Sequence, residues 1–88
     1  MYQKILVPLD GSAASDRGLQ EALKLARDQR ARVRLLHVID EYLLTLDLGG
    51  GESAANLRNS LQRFGEDILE RAKRLAAEQN VQAETVMR

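Results

Sequence analysis

Three stretches carry residue types and spacings that can do chemistry. The first is Asp10-Gly11-Ser12, which follows the apolar run Ile5, Leu6, Val7, Pro8, Leu9 at once. A carboxylate and a hydroxyl either side of a glycine, where a strand gives way to a helix, can hydrogen-bond a ligand's sugar or base or orient a metal-bound phosphate. Gly11 turns without a side-chain clash, Ser12 is a good N-cap, and the free amides of a helix start attract anions. The competing structural reading is an aspartate that only satisfies the amides of its own turn. The second stretch holds His37, the sole histidine, inside an apolar strand. A metal needs three or four donors and no partner stands at suitable spacing, so a structural histidine with its hydrogen bonds met is expected. The third, Gly49-Gly50-Gly51-Glu52-Ser53-Ala54, matches the loose dinucleotide pattern G-x-G-x-x-A ahead of a helix. That fingerprint belongs directly after a strand. Here residues 42–48, with Asp47 among them, follow another strand with no helix between, and a flexible loop is expected instead. No serine, histidine and acid set, carboxylate pair or metal motif stands out, so no catalytic residue or metal ligand is assigned.

Composition narrows the function classes. With 88 residues the chain is one small domain. Thirteen basic residues balance 13 acidic ones, leaving no global field to draw in nucleic acid or an anionic membrane. Tyr2, Tyr42 and Phe64 are the only aromatics, too few for a base-stacking platform. The basic cluster Arg27, Arg30, Arg32 and Arg34 is interrupted by Asp28 and falls at a turn, and reads as a solvated surface. Cysteine is absent, which rules out disulfides and thiolate chemistry and suits a reducing compartment. The apolar run after Lys4 is too short for a secretory signal, and none elsewhere is long enough to span a bilayer. A cytoplasmic protein with neither nucleic acid nor membrane as partner is expected.

Five elements must position these residues. Ile5, Leu6, Val7 and Leu9 form the kind of run found in a parallel strand covered on both faces. Leu19, Ala22, Leu23 and Ala26 recur at helical spacing, predicting an amphipathic helix over 13–29, with Asp16 in its first turn and Arg27 in its last to complement the dipole. Gly18 weakens that helix or permits close packing on a strand. Val33, Leu35, Leu36, Val38 and Ile39 make a second strand ending at Asp40. Leu57, Leu61, Phe64, Ile68, Ala72, Leu75 and Ala76 predict a helix over 57–79, with i,i+4 pairs Asp67 with Arg71 and Glu70 with Arg74, and Asn80 as its left-handed stop. Residues 81–87 alternate as an edge strand does. The connection 40–56 is the one long loop. The order is β-α-β-α-β, half of a doubly wound parallel α/β sheet, whose ligands sit at the carboxyl ends of the strands.

Ile5-Leu6-Val7-Pro8-Leu9-Asp10-Gly11-Ser12, the helix with Leu19, Ala22, Leu23 and Ala26, and the strand Leu35-Leu36-His37-Val38-Ile39-Asp40 together resemble the universal stress proteins. The order and spacing of the three blocks are more specific than any one of them. The resemblance implies a flavodoxin-like (Rossmann-like) fold, a homodimer, and in some members ATP, with or without Mg2+, as ligand. It places Pro8, Leu9, Asp10, Gly11 and Ser12 on one wall of an adenosine site and Val38 at the adenine edge of the other. Such members hold the phosphates by a G-x2-G-x9-G-[ST] stretch after strand four, and this chain ends before that stretch. Residues 1–88 are therefore expected to be a universal stress protein domain incomplete at its C-terminus. Its expected role is nucleotide binding in the stress response. The alternatives are a dimerising regulatory member that binds no nucleotide, and a slow ATP hydrolase or phosphotransferase acting at Asp10 and Ser12.

Overall fold

The computed structural model describes residues 3–39 and 51–88, with side chains from residue 55 onward in the second range. Strand β1 (Lys4–Pro8), helix α1 (Ala13–Gln29), strand β2 (Arg32–His37), helix α2 (Gly51–Glu78) and strand β3 (Ala83–Met87) follow in that order. All strand pairings are parallel and the sheet order is β1-β2-β3, with Val7 opposite Leu35 and Leu35 opposite Thr85.

Helix α1 has the predicted bounds because its apolar face begins two turns after a working cap and ends at a left-handed residue. Leu19, Leu23 and Ala26 are buried, and Asp16 and Arg27 stand in the first and last turns. The closing residue is Arg30, at φ 56°, whose N–H reaches the Ala26 carbonyl. Arginine is no sequence signal for that conformation, which glycine or asparagine usually supplies. Asn80, at φ 58°, ends α2 as its residue type suggests. A Cβ on Gly18 would meet nothing within 4 Å, so that glycine serves no close packing.

Several expectations need correction, the second strand among them, which ends at His37 with Val38 and Ile39 beyond it. Helix α2 starts at Gly51, six residues ahead of the expected Leu57, so the 51–56 part of the expected loop is helical; Gly49 and Gly50 lie outside the described residues. Strand β3 starts at Ala83, since Val81 is spent as a buried plug after the Asn80 turn. Arg71 pairs with Asp16 on α1 at 3.8 Å rather than with Asp67.

The sheet is covered on one face. Val7, Val33, Leu35 and His37 are buried, and Val7, Val33 and Leu35 share one core cluster with Leu19, Leu23 and Ala26 of α1 and Leu69, Ala72 and Ala76 of α2. The reason is topological. Strand order steps twice in the same direction, and two right-handed crossovers taken in one direction leave both helices on the same side. Strand β1 is thus not sandwiched as its apolar run suggests: Leu6 is 58% exposed. On the uncovered face Glu84 ties the three strands at their amino ends, 2.6 Å from Arg34 Nε and 3.1 Å from Lys4 Nζ. Arg34 first, then Lys4, holds the Glu84 carboxyl below its ordinary value.

Strand β1 also has an unpaired edge among the described residues. The Gln3 carbonyl accepts from Arg32 and the Leu9 N–H donates to Leu36, both at 2.8 Å. Parallel pairing alternates, so odd-numbered residues of β1 bond β2, and the backbone groups of Lys4, Leu6 and Pro8 turn outward.

Candidate functional site at the carboxyl ends of the strands

The β1–α1 turn is built by its own polar side chains. Asp10 Oδ1 accepts from the Ser12 N–H at 2.8 Å, and Ser12 Oγ accepts from the Ser15 N–H at 3.1 Å. The Ser15 hydroxyl in turn donates to the Ser12 carbonyl at 3.1 Å. Gly11 sits at φ 84°, where a side chain is strained. The Ser12 hydroxyl first, then the Ser12 amide and the Ser15 hydroxyl, hold the Asp10 carboxyl below its ordinary value, so at neutral pH it is an exposed carboxylate and acceptor only. The turn-forming reading of Asp10 is therefore correct as far as one oxygen goes. Ser12→Ala removes the cap and is expected to cost about 1 kcal/mol, checked by denaturant unfolding with the slope unchanged.

Pro8, Leu9, Asp10, Leu36 and Val38 line a concavity of about 250 Å³. Four of the six sequence-assigned site residues meet there. Gly11 lines a separate hollow of about 30 Å³ with Leu9, Asp16, Leu19, Ile68 and Arg71 among its neighbours, and Ser12 lies beyond Asp10 at the helix cap. Leu36 went unassigned by sequence, although its parity with Val38 was the available signal: even positions of β2 face away from both helices.

Backbone alternation decides what Val38 offers. Odd residues of β2 bond β3, since the His37 carbonyl accepts from Arg88 at 3.0 Å and Ile39 donates to the Arg88 carbonyl at 2.8 Å. Even residues bond β1, Leu36 to Leu9 being the last such bond. The N–H and C=O of Val38 therefore point toward β1 where β1 has already turned away at Asp10. Val38, 61% exposed, lines the concavity together with Asp10, and this alternation puts a donor and an acceptor on the side of β2 that looks toward β1. His37 is buried, with Nδ1 2.8 Å from the Leu9 carbonyl, the structural histidine its setting suggested.

Residues 1–88 match the universal stress protein family. The chain belongs to that family. It is 39% identical over 92 residues to universal stress protein YxiE of Bacillus subtilis, covering 98% of this chain and 62% of that one. Universal stress protein MJ0531 of Methanocaldococcus jannaschii is 29% identical over 87 residues, covering 99% of this chain and 51% of that one. A crystal structure of a universal stress protein family member from Burkholderia pseudomallei superposes with a TM-score of 0.83 at 29% identity, over 98% of this chain and 61% of that chain. The chain thus spans less than two thirds of each of these relatives. The parallel α/β arrangement of a flavodoxin-like universal stress protein is the fold observed. Among the described residues, no helix is long and apolar enough to cross a membrane.

Proposed function

We propose that this universal stress protein chain contributes the adenosine-facing part of a site for an adenine nucleotide, ATP, in a cytoplasmic homodimer, and acts as a binding module rather than a catalyst. The observation that carries the reading is the Val38 backbone pair, turned toward β1 and without a backbone partner among the described residues, in the concavity that Val38 lines with Asp10. Adenine presents a ring acceptor beside an exocyclic donor on one edge, the complement of an N–H next to a C=O, and a carboxylate accepts from ribose hydroxyls. At about 250 Å³ the concavity falls short of the roughly 300–1,000 Å³ of a complete ligand pocket, in keeping with one wall of a larger site. The phosphates find few donors here. Asp10 and Ser12 occupy the Ser12 and Ser15 amides, which leaves the first two amides of α1, on Ala13 and Ala14, facing outward. A bound Mg2+ would have Asp10 as its carboxylate in the concavity.

Calorimetric titration with ATP tests the reading. Asp10→Ala is expected to weaken binding at least about tenfold, roughly 1.4 kcal/mol, while Arg32→Ala, at the opposite end of the sheet, leaves affinity unchanged. Equal affinity for Asp10→Ala and the parent removes Asp10 from the site. No heat with the parent at any ATP concentration favours the dimerising member that binds no nucleotide.

A further inference from the structure

The β1–α1 turn is gripped from behind by one side chain. Leu9, the residue before Asp10, gives its N–H to the Leu36 carbonyl and has its own carbonyl 2.8 Å from His37 Nδ1. A carbonyl only accepts, so Nδ1 must carry the proton, and a neutral ring then leaves Nε2 as its lone-pair nitrogen. That far side of the ring lies against α2 at Gly65. A Cβ there would stand 2.5 Å from His37 Cδ2 and 3.0 Å from Nε2. No side chain larger than hydrogen fits without displacing the imidazole. Next to it, the Phe64 ring meets the imidazole edge-on, centroids 6.1 Å apart at 71°. The same α2 surface touches the turn, because Phe64 Cζ and Ile68 Cδ1 both lie 3.1 Å from where a Gly11 Cβ would be.

We infer that His37 is a positioning residue for the proposed nucleotide site, a bolt between α2 and the β1–α1 turn. Its Nδ1–H fixes the Leu9 carbonyl, and the Gly65 slot fixes the ring. This rests on the nucleotide-binding reading for its functional half and stands without it for its structural half. Holding Leu9 at both its N–H and its carbonyl sets the direction in which the chain leaves the sheet. That direction sets where Asp10 stands in the concavity it lines with Val38. A shift of α2 along the imidazole is passed to the turn through the Leu9 hydrogen bond, beside the Phe64 and Ile68 contacts at Gly11, so α2 and the site move together.

Two kinds of measurement separate the halves. Long-range nitrogen–proton NMR correlation on the unmodified chain is expected to show the Nδ1–H tautomer, whether or not ATP binds. His37→Phe keeps a flat ring without the donor, and is expected to speed amide exchange at Ser12 and Ser15 at least tenfold and weaken ATP binding about tenfold. His37→Asn, whose amide nitrogen falls near the Nδ1 position, is expected to restore most of both. Gly65→Ala keeps the donor but pushes the ring, and is expected to behave as His37→Phe does. An Nε2–H tautomer in the parent overturns the inference, as does a folded His37→Phe with parental exchange at the turn. If His37→Phe does not fold, the tautomer and His37→Asn decide. If the parent binds no ATP, the function proposed above fails while tautomer and exchange still judge the bolt.

Discussion

Leu35→Ala is expected to destabilise the chain by about 2–5 kcal/mol. Leu35 is completely buried, in the middle of the central strand, opposite Val7 on one side and Thr85 on the other. Both helices close over it, so no one neighbour can relax into the space left by three missing carbons. A domain of this size has about 5–15 kcal/mol of stability in all, and the variant should unfold at much lower denaturant. Leu6→Ala supplies the contrast. Leu6 is 58% exposed on the uncovered face of the same sheet, and in the 88-residue chain its truncation should change stability by no more than about 0.5 kcal/mol. Chemical denaturation of both variants checks the pair. Comparable losses at the two positions would mean that the uncovered face is buried in solution, by a second copy or otherwise.

Gly11→Ala is expected to cost about 1–3 kcal/mol, chiefly from backbone strain. At φ 84° the residue stands where a Cβ is disfavoured, and the new methyl would lie 3.1 Å from Ile68 Cδ1 and Phe64 Cζ. Those atoms are the ends of movable side chains, so crowding adds little and the backbone decides. For a domain this small each kcal/mol lowers the melting temperature by about 4–8 °C, and a thermal melt reads the effect directly. An unchanged melting temperature would show that the turn does not hold its left-handed geometry. Gly11→Asn should lose less than Gly11→Ala, because asparagine tolerates that region better.

What could be read from the residues was whatever leaves a local signature. The bounds of α1 were legible because a serine cap, an apolar face at three- and four-residue steps and a polar end all agree within one stretch. The start of α2 was not, because its first turn and a half, from Gly51, offers no apolar face before Leu57 to betray a helical period. Strand β1 announced its existence but not its exposure: a continuous apolar run is the same whether one face is covered or both, and only the strand order settles that. The site divided likewise. Asp10, Gly11 and Ser12 are contiguous and visible, whereas Leu36 joins Asp10 in the concavity only through the parity of a neighbouring strand. Gly65 was invisible, since a lone glycine in a helix says nothing until the imidazole it accommodates is placed beside it.

The outward side of β1 is selective about company. Lys4 and Leu6 each present an N–H and a carbonyl there, while Pro8 presents a carbonyl alone. Suppose two copies met edge to edge, antiparallel and centred on Leu6. Each Lys4 carbonyl would then face a proline nitrogen with no hydrogen to give, and each end would also receive a pyrrolidine ring. The pairing would be poorest where a symmetric ribbon most needs closing, at both tips. A foreign strand running parallel, with its donors set against all three carbonyls and its acceptors against Lys4 and Leu6 only, meets no such defect. The proline thus acts as a discriminator at this edge, disfavouring the symmetric antiparallel ribbon centred on Leu6 while leaving a parallel strand free to pair.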